Sequence, residues 1–402
     1  MRATNRLLYK YQLSTIHYQL STVNYQLSTV NYQLSTANMT EIAIAGAGVV
    51  GATIAYELSR VPQLNITLLD RNTTPSGATT AALGILMGII SRKTKGRAWQ
   101  LRQASMKRYD SLIRELEALT GIEIPFNGQG ILQLLFTTED LPKWERLVEM
   151  RRSQGWELQI WQPEQVRDYC PHVAWDKIAA AIYSPGDRQV NPTILTQALI
   201  TAAQQNGVNC QFGVNLEKIS SQCHSQGEKI VLETHNGKWN LDWLVVAAGL
   251  GSTALTASLN EKIDIRPVLG QALELKLEDT LGNEDFQPVI SAEDVHLLPL
   301  GKGSYWLGAT VEFPTVEGEI TPTPEMLEEV SKKAIAFCPA LEKATIVRSW
   351  SGLRPRPEGR SAPVIGPLPG WTRVLLATGH YRNGILLAPA TAAVIKELVV
   401  GC

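Results

Sequence analysis

The stretch Glu41–Asp70, EIAIAGAGVVGATIAYELSRVPQLNITLLD, decides the fold. Residues 41–45, EIAIA, read as a short buried strand, because every residue after Glu41 is small or apolar. Gly46-Ala47-Gly48-Val49-Val50-Gly51 follows, then a helical stretch, ATIAYELSR, in which Ala55 and Leu58 continue the apolar face. A second strand, Asn65 to Leu69, ends in Asp70 with Arg71 beside it. Gly46 permits a tight turn, Gly48 lets backbone approach a pyrophosphate, and Gly51 allows close packing of helix on strand. The helix start at Val49 and Val50 then aims unpaired N–H groups and a positive dipole end at phosphates. Asp70 can accept hydrogen bonds from both hydroxyls of an adenosine ribose, and an acid there disfavours a 2′-phosphate. Strand, glycines, helix and acid at this spacing mark a dinucleotide-binding unit of Rossmann type. The motif alone does not choose between FAD and NAD.

Three later segments bear on that choice. Trp243 to Gly251, WLVVAAGLG, is an apolar strand ending in small residues. It can return to the same sheet and bring Ala248 and Gly249 against the nucleotide. After Asp70 comes Ser76-Gly77-Ala78-Thr79-Thr80-Ala81-Ala82-Leu83-Gly84, a loop of small residues and hydroxyls that lets a flavin ring lie close to backbone. Finally, residues 379–391, GHYRNGILLAPAT, lead into an apolar-periodic helix running to about Val399, with Pro389 expected in its first turn. The lead-in residues His380, Arg382, Asn383, Gly384, Ile385 and Leu386 would point donors and a helix dipole at a ligand. In a flavoenzyme these favour the negative charge a flavin acquires on reduction.

The remaining composition narrows the class. The chain has 402 residues with 44% hydrophobic and 19% charged content, enough for two ordinary domains. A formal net charge of −1 gives no electrostatic footprint for nucleic acid or an anionic membrane. The five cysteines, Cys170, Cys210, Cys223, Cys338 and Cys402, form no CxxC pair, so no zinc site or disulfide framework is expected, and a reducing cytoplasm fits. The apolar run around Ala81–Ile90 is too short to span a bilayer, and a soluble protein is expected. From Tyr11 to Asn38 the chain repeats YQLSTxx with a period of seven, rich in Ser, Thr and Gln and without an acidic residue. It lacks the e/g charge pairs of a coiled coil, so residues 1–38 are expected to be a disordered tail, with the fold starting at Met39.

Taken together, these segments resemble the glycine and D-amino acid oxidase family of flavoproteins, above all the glycine oxidases that supply dehydroglycine for the thiamin thiazole ring. GHYRNGILLAPATA matches the family's C-terminal flavin motif, and Ser351 to Gly366, SGLRPRPEGRSAPVIG, is similar to the segment carrying its substrate arginine. GDRQVNP, residues 186–192, and RPVLGQ, residues 266–271, fall in the family's order. The resemblance covers roughly Met39 to Gly401. It implies a discontinuous FAD-binding domain (39–117, 184–257, 348–402) and an antiparallel-sheet substrate domain (118–183, 258–347). It also implies hydride transfer from the substrate carbon to flavin N5, an imine product, and reoxidation by O2 to H2O2. FAD is expected to be non-covalent, since Leu353 and Arg354 stand where related sarcosine oxidases place a cysteine. Some members are homo-oligomers.

In that frame Arg354 is the expected clamp on a substrate carboxylate, because its planar fork of donors holds a carboxylate in bidentate fashion. Arg382 is expected to add positive charge near the flavin, while Arg356 is expected to be solvated. The resemblance departs at Asp294, His296 and Val311, where glycine oxidases tend to carry His, Tyr and Met. His296 is expected to stand in for the missing tyrosine hydroxyl, more strongly if protonated, and Asp294 either to meet the substrate amine or to point away. Two alternatives stay open: a dehydrogenase for a D-amino acid, sarcosine or proline that passes electrons to a quinone or carrier, and a flavin-binding protein without turnover.

Overall fold

Between Thr40 and Asp70 the backbone forms the strand, helix and strand that the residue pattern dictates: Thr40–Ala45, Val49–Ser59 and Leu64–Asp70. The computed structural model describes residues 19, 21–22 and 39–401, apart from 74–75, 225–226, 236 and 260. The expected disordered tail over 1–38 therefore lies, save those three positions, outside the described residues. The two strands pair in parallel, Ile42 opposite Ile66 and Ile44 opposite Leu68. They sit within a six-stranded sheet of order Val364–Pro367, Val374–Thr378, Trp243–Val246, Thr40–Ala45, Leu64–Asp70, Asn209–Phe212. All neighbours are parallel except the outermost pair, Val364–Pro367 with Val374–Thr378. Trp243–Val246 thus returns beside the first strand as expected, with Val246 opposite Ala45.

Alternate residues of these strands serve different cores, as the two-residue period requires. Ile42, Ile44 and Val245 face a core closed by the helices Val49–Ser59, Gly96–Thr120, Pro192–Gln205 and Gly384–Val400. Ala43, Ala45, Leu244 and Val246 face a second core closed by the antiparallel strands Leu216–His224, Gly227–Thr234 and Gly237–Leu241. Among the described residues one helical stretch, Tyr381–Val400, is long and apolar enough by length and composition to cross a membrane. More than half of it is buried inside the protein, packed on Val49–Ser59 and Gly96–Thr120. It is a core helix.

The second large layer is an eight-stranded sheet. Its order is Thr345–Pro357, Ile265–Lys276, Ser304–Gly308, Val295–Gly301, Val289–Ala292, Ile131–Leu135, Ala180–Ser184, Gln159–Trp161. Only Val289–Ala292 and Ile131–Leu135 run parallel; the other pairs are antiparallel. Helix Pro324–Phe337 covers it, burying Val330, Ala334 and Phe337 against Leu273, Leu297 and Leu307. The architecture is mixed α/β with a parallel Rossmann-type sheet and an antiparallel one, as expected from sequence. Three expected domain boundaries fall inside continuous elements. The step from 117 to 118 lies within helix Gly96–Thr120, that from 183 to 184 within strand Ala180–Ser184, and that from 347 to 348 within strand Thr345–Pro357. No turn residue interrupts any of these elements there, so each carries the chain on across the boundary.

Candidate active site

The two sheets meet around a cavity of about 1270 Å³. That exceeds the roughly 300–1,000 Å³ of an ordinary small-molecule site, as a dinucleotide plus a substrate requires. At one end stands the glycine turn. Gly46 has φ +110°, and a Cβ there would lie 2.5 Å from the Ala247 carbonyl oxygen. A Cβ on Gly51 would lie 1.8 Å from the Gly46 carbonyl oxygen. Only glycine permits this cradle. Gly46, Gly48, Val49 and Val50 line the cavity, whereas Gly51 stands behind it, packed on the turn.

Helix Val49–Ser59 begins with no side-chain cap on its N-cap residue, Gly48. Val49 N–H donates to Thr79 Oγ1 at 3.1 Å, and Val50 and Gly51 have no intrahelical acceptor. Asp70 holds the turn itself: Oδ2 accepts from Ala47 N–H at 2.7 Å and Oδ1 from Asn72 N–H at 2.8 Å. Each oxygen retains acceptor capacity for a ribose hydroxyl. Arg71, Thr79, Thr80, Ala81, Gly84, Ala248 and Gly249 also line the cavity, with Val214, Asn215 and Leu216, which no sequence signal singled out. Gly84 is also required to be glycine by packing. Its φ is +77°, and a Cβ there would strike the Val190 carbonyl oxygen at 1.8 Å. A bare helix N-terminus, a cradle closed to side chains and a carboxylate at the strand end fit the phosphates and ribose of FAD.

The opposite end is built by the C-terminal helix, and the structure corrects its start. It runs Gly384–Val400, so Pro389 is interior and not in the first turn. The stretch Gly384–Leu387 already buries an apolar face, and this packing carries the helix past the proline. Gly384, Ile385 and Leu386 line the cavity. His380 lines it too, but its ring turns away from it: Nε2 lies 2.9 Å from Thr391 Oγ1, whose hydroxyl donates to Leu387 O. Nε2 therefore carries the proton, and burial pulls the ring's pKa down to about 4. Asn383 likewise gives its side chain to the protein, accepting from buried Arg102 at 3.3 Å.

Between these ends lies one face of the eight-stranded sheet. Arg354 sits opposite Val268 on strand Thr345–Pro357. Its Nη1 donates to Leu269 O at 2.9 Å, and the guanidinium lies flat on Gly270, where a Cβ would be 2.1 Å from Nη2. Arg354 makes no ion pair with any described residue. Burial, and after it the charge of Arg382, bears against its cationic form, yet arginine stays protonated in proteins. A half-buried guanidinium that faces a cavity without a carboxylate is an anion site. Ala81 packs close by: Trp350 Nε1 donates to its carbonyl at 3.1 Å, and a Cβ on Gly352 would meet Ala81 Cβ at 2.2 Å. The small-residue loop and the arginine strand are therefore in direct contact.

His296 stands across the cavity, cross-strand from Ser291, whose Oγ is 2.8 Å from Nδ1. Burial first, and then Arg382 and Arg354, pull its pKa down to about 4 against the opposing effect of Asp294. With its pKa at about 4 the ring is neutral near pH 7, so His296 can act there only as a neutral group. Asp294 pairs with Arg382 at 3.0 Å at the cavity mouth. Arg356 pairs with Glu358 at 3.2 Å and stacks over Phe313, away from Arg354's task. Ser291, Gly270 and Arg102 escaped sequence reading. Gly270 stood within RPVLGQ and its close approach was there to be asked about; the other two carry no local signal.

Comparison with known proteins places the whole fold in a family. A family model described as FAD dependent oxidoreductase matches residues 41–398. Glycine oxidase of Bacillus subtilis (strain 168) is 29% identical over 364 residues, covering 90% of this chain and 93% of that protein. The bifunctional protein ThiO/ThiG of Synechocystis sp. is 32% identical over 365 residues, covering 90% of this chain and 52% of that protein. The crystal structure of glycine oxidase from Geobacillus kaustophilus superposes with a TM-score of 0.80 at 28% identity, covering 90% of this chain and 95% of that one. With a dinucleotide cradle, a bare helix N-terminus at each end of one cavity, and this match over most of its length, the chain belongs to the FAD dependent oxidoreductase family.

Proposed function

We propose that the protein oxidises glycine, or another small amino acid, at its amine-bearing carbon, and that it serves the same thiazole-forming step as the glycine oxidases. The observation that carries this reading is Arg354, a guanidinium with no anionic partner among the described residues, in a cavity shaped for FAD. FAD, when bound, supplies a two-electron acceptor for the hydride that leaves the substrate carbon. Arg354 binds the substrate carboxylate through the donors not used on Leu269 O, and this fixes which face of the carbon meets the cofactor. His296 contributes as a neutral donor. Nδ1 lies 2.8 Å from Ser291 Oγ, and in the tautomer where that hydroxyl donates, the proton on Nε2 is free to reach the same carboxylate. Arg382 and Asp294 offset each other at the cavity mouth, which leaves the charge of Arg354 uncompensated. Overall the amino acid loses two electrons and two protons to become an imine, and O2 takes them up as H2O2. No protein acid–base pair is required, because the cofactor carries the electrons.

The cofactor contacts belong to the same proposal: Val49, Val50 and the 79–84 loop on one side, the 380–386 lead-in on the other, with FAD held without a covalent bond. We assign 39–117, 184–257 and 348–402 to FAD binding and the rest of the fold to the substrate side, with strand Thr345–Pro357 shared between them. Cys170, Cys210 and Cys338 are unpaired, which supports a reducing compartment such as the cytoplasm.

The test is an anaerobic titration of flavin absorbance with glycine, sarcosine, D-alanine and D-proline, followed by a peroxide assay under air. Bleaching by glycine with peroxide formed at the turnover rate is the expected result. Bleaching by another of these amines moves the substrate, absence of peroxide moves the acceptor to a quinone or carrier, and no bleaching at all removes the activity.

A further inference from the structure

The helix Gly384–Val400 carries a proline as the sixth of its 17 residues. Pro389 has no N–H to give, so the Ile385 carbonyl four residues back is left without its helical donor. Such breaks persist only where something else satisfies the freed backbone groups. Here the partner is the long helix Gly96–Thr120. The Tyr109 hydroxyl donates to Ile385 O, and Ala390 N–H, just beyond the proline, donates to Ser105 Oγ at 3.2 Å. Ser105 and Tyr109 are four residues apart, hence on one face of their helix, and both are 0% exposed. Their polar groups have no other described use in that core, where an apolar residue would pack without a partner to find. Burial holds the Tyr109 hydroxyl in its protonated form, so it remains a donor.

The turn on the far side of the break, Gly384–Leu386, is the one that lines the cavity, and Asn383 before it offers no side-chain cap. We propose that Tyr109 and Ser105 are positioning residues for FAD: by tying off the backbone groups around Pro389 they fix the tilt of the helix's first turn, and so the aim of its N–H groups at the flavin. The aim matters because such donors and the dipole behind them favour negative charge on the ring system at reduction. This inference rests on FAD binding and is independent of which amine is oxidised.

The test uses the FAD-loaded protein and Tyr109→Phe, read by the reduction potential of the bound flavin and by the FAD dissociation constant. We expect FAD to bind about tenfold more weakly, the loss of one buried hydrogen bond, and the potential to move to more negative values. Leu112→Ala is the control: it is 1% exposed on the same helix, lowers stability and leaves the potential at the wild-type value. In a Pro389→Ala background the helix regains its own donor to Ile385, so Tyr109→Phe should there change FAD affinity by less than twofold. If Tyr109→Phe does not fold, Ser105→Ala carries the same comparison. A potential and affinity unchanged from wild type, matched by Leu112→Ala, or equally shifted in the Pro389→Ala background, would overturn the proposal.

Discussion

Asp294 accepts a hydrogen bond from Arg382 at 3.0 Å, which ties the hairpin turn after Val289–Ala292 to the loop ahead of the C-terminal helix. The Asp294 side chain is 75% exposed, so the pair contributes at most about 1 kcal/mol. Its effect is on the field at the cavity mouth. Asp294→Asn should shift the melting temperature by no more than about 2 °C. The dissociation constant of glycolate, a carboxylate with no amine, should fall roughly two- to fivefold at low salt and return toward wild type at high salt. A raised KM for glycine with glycolate binding unchanged would instead assign Asp294 to the substrate amine.

Gly270 lies beneath the Arg354 guanidinium, with no room for one more carbon. Gly270→Ala should therefore displace the clamp and raise the KM for substrate by about tenfold while FAD stays bound. Arg354→Ala should raise it by about a hundredfold or more, the loss expected for a charge-assisted pair of hydrogen bonds. Steady-state kinetics with flavin content measured in parallel checks both. Unchanged KM in Arg354→Ala would remove that residue from the site.

His172, His296 and His380 all have pKa values pulled down to about 4, burial being the leading cause. In the unfolded chain each titrates near 6.5, so between about pH 6.5 and 4 the unfolded state binds more protons. Stability should therefore fall as pH drops through that window, by up to about 1.4 kcal/mol per pH unit for a fully buried histidine. His380 is 3% exposed and is the cleanest probe. His380→Gln should make the melting temperature fall less steeply between pH 6.5 and 4.5, and an unchanged slope would contradict a neutral His380. By the same reasoning, glycolate affinity should show no inflection near pH 6.5 from His296.

Asp187 is fully buried, and its carboxylate accepts from Gly88, Ile89 and Ile90 N–H at 2.7, 2.8 and 2.8 Å. From the other side Arg151, also fully buried, donates to the carbonyls of Ile89, Ser91 and Lys93 and stacks over Trp99. Asp187→Ala would orphan three buried donors and should cost about 3–5 kcal/mol, seen as a large drop in melting temperature. A loss below about 1 kcal/mol would show that water replaces the carboxylate.

The sequence by itself determined the nucleotide half of this protein. Its information is local there: glycines at fixed offsets make a turn that only glycine allows, an apolar strand precedes it, and an acid closes the next strand. Such features read in one pass because their partners lie within about thirty residues or in backbone geometry that a residue type dictates. The returning strand at Trp243 was legible from its own composition, since a continuous apolar run suits a buried strand of a parallel sheet. What the tertiary structure decided is the state of the polar side chains. His296 is neutral because of walls contributed by distant strands, and Asp294 is occupied because Arg382 lies 88 residues away in the chain but 3.0 Å away in space. Pro389 stands inside its helix, and Tyr109, 276 residues from Ile385, satisfies the carbonyl that the proline strands. Charge, protonation and hydrogen-bond satisfaction depend on what packs against a group, and that is set only when the two sheets close around the cavity.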